Sequence, residues 1–161
     1  MDSIRINRDL SPGTYRIEDV FAGLRDAEVL HSIFGSRTAV DDVFFNIKLE
    51  VDTNKHYMHV KNEDATIVVS LDHLKNSDEL TLYLDIVHEL VHVKQQRQGL
   101  DLYDKSYPYV DRPTEIEAYV IAVEEARRLG LSHERILDYL QVDWITPDEH
   151  RRLAGHVGIK H

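Results

Sequence analysis

Residues 88 to 92 read HELVH, two histidines four apart with a glutamate directly after the first. On a helix, positions i and i+4 lie one above the other, about 40° apart in projection. His88 and His92 therefore aim two imidazoles at one point. Glu89 is turned about 100° from His88 and flanks that point rather than meeting it. This is the geometry of two zinc ligands with a carboxylate placed to take a proton from a metal-held water. Random placement of the same residues gives the pattern about 0.05 times in a chain of this composition. The three polar groups also interrupt an apolar stretch, where an unpaired polar group is costly. A shared metal explains all three together. Asp85, three residues before His88, lies on the same face and could accept a proton from a ligand imidazole.

Bulk properties narrow the chemistry. A chain of 161 residues is expected to form one domain, 1–161, with a core that needs no staples. There is no cysteine, so any metal is held by imidazole and carboxylate. That composition fits a reducing compartment, and MDSIRINRDLSPGTY has no apolar signal-peptide region, so the expected location is cytoplasmic. No apolar run approaches the length of a membrane span, and no membrane partner is expected. The formal charge of −10 argues against nucleic acid, whose phosphates need a basic face. Self-association is possible but nothing indicates it.

The elements that must position the motif follow from periodicity. Residues 1–14 read as a loose polar lead-in. Val20, Phe21, Leu24, Ala27, Val29, Leu30 and Phe34 predict a helix over 17–34, closed by Gly35. The runs 43–51, 55–61 and 65–71 read as strands of a small antiparallel sheet. Asp52-Thr53-Asn54 and Asn62-Glu63-Asp64 supply the hairpin turns. Residues 77–99 form a helix that is apolar nearly all round between Leu80 and Val93, the mark of a centrally buried element. A loop carrying Tyr103, Tyr107 and Tyr109 follows. Pro113 then opens a second helix that ends at Gly130. Two short helices make a C-terminal extension over 131–161. The fold class is α+β. GHVGIKH at the end is flexible by composition and could reach the cleft as an internal brake.

The third ligand is sought among Glu115, Glu117, Glu124 and Glu125 on the second helix. No histidine follows HELVH until His133, which excludes a third histidine a short step downstream. At this point PTEIEAY (113–119) resembles the second motif of the gluzincin clan of zinc metallopeptidases. That motif has a glutamate, two residues, an alanine, then Asp or Asn. IrrE/ImmA-type proteases and HtpX-type heat-shock proteases carry versions of it, and small soluble minigluzincins are similar in size and layout. The resemblance covers about residues 65 to 130. It implies a small zincin-like domain, a sheet packed on the HExxH helix and a glutamate helix. It implies one zinc per chain held by His88, His92 and Glu115, and Glu89 as the base of a metalloendopeptidase acting on a peptide or protein. The strand 65–71 would border the cleft and could accept an extended peptide. A latent or purely regulatory zinc module is the alternative.

Helix geometry adds to this assignment. Glu115 and Glu117 are about 200° apart in rotation, so only one can face the metal. Glu115 shares its face with Ala118 and Ala122, which would pack inwards, and Glu117 shares its face with Glu124. Tyr119 stands where the clan has Asp or Asn, so either its hydroxyl or Asp85 must orient a ligand histidine. Tyr107 and Tyr109 are the candidates for stabilising the oxyanion. Glu124 and Glu125 read as a solvated face with Arg127 and Arg128. Arg112 could bind a substrate carboxylate, but it reads first as half of an ion pair with Asp85 or a glutamate. His56, His59, His73, His133, His150, His156 and His161 lack a second ligand at metal spacing and read as surface or hinge residues.

Overall fold

The computed structural model describes residues 3–159. The start of the chain is not a loose lead-in. Ile4 is buried, Arg5–Ile6 form β1 and Gly13–Arg16 form β2. The Arg8 guanidinium donates to the carbonyls of Leu74 (3.0 Å) and Ser77 (2.6 Å), tying this segment to the approach to the HELVH helix.

The helix expected over 17–34 is broken. Ile17–Val20 form α1, Phe21–Ala22 form β3 against β1, and Glu28–Phe34 form α2. The break falls at Gly23, whose φ is 88°, and a Cβ there would sit 2.4 Å from the Ser3 carbonyl oxygen. Only glycine permits both the left-handed backbone and that approach. Gly35 ends α2 as expected, with φ 93°.

Residues 43–46 are helical, not extended. Arg37–Asn46 form α3, and the Ser36 side chain caps it by accepting from the Ala39 amide at 3.1 Å. Val40, Val43 and Phe44 bury on one helical stripe, while Phe45 is 87 % exposed. The alternation through Phe45 therefore was not a strand face. Lys48–Asp52 form β4, Met58–Val60 form β5 and Ile67–Ser70 form β6.

The main sheet has order β2-β4-β6-β5 and is mixed rather than antiparallel. β4 pairs parallel with β6, Leu49 opposite Ile67, while β2 with β4 and β5 with β6 are antiparallel. The Asp52-Thr53-Asn54 turn therefore joins two strands that do not pair. Only the turn at 62–64 closes a hairpin. The reason lies in β6, whose four residues are all buried. A strand apolar on both faces takes the interior of a sheet, and β5, with half-exposed Met58 and His59, is left at the edge.

Leu71–Asn76 form α4, of which Leu71 was expected to end the strand and 72–76 were expected in no element. Glu79–Arg97 form α5, capped by Asp78, whose carboxylate accepts from the Thr81 amide at 3.2 Å. Every residue from Leu82 to Val93 except Asp85 is buried. Pro113–Arg128 form α6, His133–Leu140 form α7 and Pro147–His156 form α8. α5 packs against α6, α2 and β5, so it runs through the centre of the molecule. Among the described residues, no helix is long and apolar enough to cross a membrane.

Three other expectations are corrected by packing. Glu125 is buried, not solvated; it accepts from the Tyr83 hydroxyl, and Arg128 chelates it at 2.6 and 2.8 Å. His73 and His150 are buried as well. The tail is pinned rather than flexible, since Val157 and Ile159 are buried and Arg127 donates to the Gly158 carbonyl at 3.1 Å. None of these tail residues lines the cleft around HELVH. Lys160 and His161 lie outside the described residues.

Candidate metal centre

The motif sits mid-way along α5, where burial on all sides fixes the side-chain directions. His88 and His92 bring their Nε2 atoms to 3.1 Å of each other. Glu115, in the first turn of α6, places Oε1 3.0 Å from His88 Nε2 and 3.1 Å from His92 Nε2. All three residues are buried, and among the described residues they are the one group of three or more that could hold a metal ion. Tetrahedral ligands at zinc bond lengths lie about 3.3 Å apart, close to the observed triangle. The donor set of two imidazoles and a carboxylate fits the same metal.

The choice of Glu115 over Glu117 is decided by the faces of α6. Ala118 and Ala122 are buried on the Glu115 side, whereas the Glu117 side chain is 45 % exposed. Glu117 still belongs to the site. It accepts from Gln95 Nε2 at 2.8 Å, and Gln95 Oε1 accepts from His92 Nδ1 at 2.7 Å. Gln95 Nε2 also donates to the Thr114 carbonyl at 3.0 Å. This chain fixes the His92 tautomer that leaves Nε2 free for a metal. Gln95 was not foreseen, although its place one turn after His92 was available in the sequence.

His88 has no such support. Its Nδ1 is buried without a hydrogen-bond partner. The Tyr119 ring packs edge-on against it, centroids 4.3 Å apart, but the Tyr119 hydroxyl bonds to Tyr109 at 2.6 Å. Asp85 does not orient His88 either. Its carboxylate meets His73 Nε2 at 2.7 Å, and His73 Nδ1 meets Ser77 Oγ at 2.7 Å. Neither the Tyr119 hydroxyl nor Asp85 therefore orients His88.

Glu89 flanks the cluster, with Oε2 4.0 Å from His88 Nε2. Burial pushes its carboxyl well above the usual range, and the nearby Glu115 and Asp85 charges add to this against the pull of His92. Burial lowers His88. Burial also opposes charge on His92, but Glu115, Glu89 and Gln95 outweigh it and raise His92 to about 9. Glu115 is desolvated too, yet the two imidazoles hold it far below the usual carboxylate range.

The cluster floors a cleft of about 240 Å³. The edge strand β5 borders it through Met58 and His59, so the bordering strand is β5 and not β6. Tyr103, Tyr109 and Arg112 line it from the α5–α6 loop, while Tyr107 faces a separate hollow and drops out as a catalytic candidate. Tyr139, Val142 and Trp144 from the C-terminal extension complete the wall, and periodicity gave no sign of them. Trp144 stands between Tyr57 (5.6 Å) and Tyr109 (5.5 Å), and the Tyr57 hydroxyl donates to Asp143. Comparison with protein families, curated proteins and solved structures found no match.

Proposed function

We propose that this protein is a zinc-dependent peptide hydrolase with a zincin-like fold. The observation that carries this reading is the buried triangle of His88, His92 and Glu115 with Glu89 beside it, opening on a cleft. The order of elements, with a sheet, the HELVH helix and a glutamate helix, supports the resemblance to small gluzincins. Zinc held by these three residues would supply a Lewis acid that polarises a carbonyl and brings the pKa of water near 7.

The remaining work falls to the chain itself. Glu89 takes a proton from water as its oxygen bonds to the scissile carbonyl carbon. The C–N bond then breaks, and Glu89 passes that proton to the leaving amine, so one water is consumed per bond cut. Its carboxylate, 4.0 Å from His88 Nε2, sits beside the cluster where a group must both accept and return a proton. Tyr109, in the cleft and bonded to Tyr119, is the hydroxyl placed to donate to the developing oxyanion.

A latent, regulatory module is the second reading, favoured by Trp144 in the cleft wall beside Tyr57 and Tyr109. Metal content after purification without added zinc tests the site, and one zinc per chain is expected. A peptide library with Glu89→Gln as control then tests turnover. The amide keeps the shape but cannot act as base, so cleavage should vanish with zinc retained. Cleavage at the wild-type rate would remove Glu89 from this role. Absence of cleavage by either protein, with zinc in place, would leave the latent reading.

A further inference from the structure

Arg112 is the one lysine or arginine lining the metal cleft among the described residues. Its side chain is only 13 % exposed. Nε donates to the Asp104 carbonyl at 3.3 Å, and the guanidinium lies 5.9 Å from the centre of the Tyr109 ring. Nη1 stands 4.0 Å from Glu115 Oε2, too far for a hydrogen bond. Nη1 and Nη2 therefore have no hydrogen-bond partner within the protein, and neither is fully buried. A largely buried guanidinium with two idle nitrogens is costly unless it meets an anion. Glu115 is a weak answer, because a carboxylate whose charge is shared with a metal holds a neighbouring cation less tightly.

We infer that Arg112 receives the terminal carboxylate of a short peptide, so that the cleft cuts the last peptide bond of its substrate. This rests on the metal reading above and narrows it from cutting within chains to cutting at the carboxyl end. The spacing agrees. From the scissile carbon to the terminal carboxylate carbon there are three bonds, about 3.7 Å at full stretch. Arg112 stands one helical turn before Glu115, with a nitrogen 4.0 Å from the oxygen that faces away from the histidines. One residue with a free carboxylate therefore bridges the metal position and the guanidinium. The size agrees as well. About 240 Å³ is below the roughly 300–1,000 Å³ of sites for drug-sized ligands, so a short peptide end fits better than a long segment. A planar fork suits a carboxylate, while the neutral carbonyls of a mid-chain substrate do not need a charge.

Two small thiols test this without relying on turnover. 3-Mercaptopropanoate and 3-mercaptopropanamide share the zinc-seeking sulfur and differ only in charge at the far end. Titrated calorimetrically into the full-length, zinc-loaded protein, the acid should bind at least about tenfold tighter than the amide. Arg112→Gln, checked for full zinc, should abolish that preference. Arg112→Lys should keep part of it, because the charge remains and the fork is lost, and it serves as the working variant if Arg112→Gln releases zinc. Equal binding of acid and amide to the wild type would overturn the inference and leave the metal site standing. So would a preference that survives unchanged in the variants. Failure of the protein to take up zinc, with neither thiol bound, would overturn the proposed function itself and this inference with it.

Discussion

The two histidines of HELVH share one helix, one burial and one carboxylate, yet their outer nitrogens differ. His92 Nδ1 is held by Gln95, which Glu117 and the Thr114 carbonyl hold in turn. His88 Nδ1 has no hydrogen-bond partner and rests beside the Tyr119 ring. The outer nitrogen of one imidazole is therefore held by a hydrogen bond, while that of the other meets only packed atoms. An unpaired buried donor costs about 1–3 kcal/mol, which makes the His88 side the weaker half of the site. The charge state follows the same division. With Glu115 and Gln95 beside it, His92 favours the protonated form up to about 9, while burial keeps His88 neutral.

The comparison can be broken most severely by removing a ligand. His88→Ala and His92→Ala should each lose stoichiometric zinc, measured by elemental analysis after dialysis. They should also lose the rise in melting temperature that zinc gives the wild type. Zinc equal to wild type in both variants would rule out the site.

Next in size is the effect of pH on zinc affinity. His92 is raised to about 9, so below that pH its proton must leave before Nε2 can bind a metal. His88 is lowered and Glu115 is held ionised, so neither has a proton to release near neutrality. Affinity should thus rise about tenfold per pH unit from 7 towards 9 and level off above. An affinity that stays flat between pH 7 and 9 would show that the histidines do not differ in charge.

Gln95→Leu should weaken zinc binding by about 10- to 100-fold, because it frees the His92 ring and reverses the asymmetry. Glu117→Gln acts one bond further out and should cost less, within about tenfold, judged by zinc retention against a chelator series. A larger loss from Glu117→Gln than from Glu115→Gln would make Glu117 the ligand. The smallest effect belongs to Tyr119→Phe. It removes the bond to Tyr109 but leaves the ring against His88, so zinc affinity should change less than about twofold. A tenfold loss there would mean that the hydroxyl, not the ring, supports His88.

How far the molecule was legible depended on how local each signal was. The HELVH helix could be read because its period and its two histidines lie within one stretch, although its cap is Asp78 rather than Asn76 or Ser77. Glu115 could be chosen over Glu117 because apolar neighbours on one face of α6 declare which side is inward. The same reasoning misread 43–46, where Phe45 alternates like a strand residue but projects into solvent from a helix. It misread Glu125 because its partner Tyr83 is 42 residues away. It assigned Asp85 to His88 from spacing alone, when His73 of another helix was the nearer imidazole.

The sequence by itself determined that two imidazoles converge and that one glutamate flanks them, because the helical repeat sets those angles whatever surrounds the helix. Only the tertiary structure decided what meets them. The Gln95–Glu117 bond spans 22 residues, and the cleft joins β5, the α5–α6 loop and residues 139–144. Those meetings follow from how whole apolar faces pack, a sum over dozens of residues that no single spacing records. The exposed edge of β5, the bare His88 nitrogen and the Arg112 guanidinium in the cleft are products of that packing.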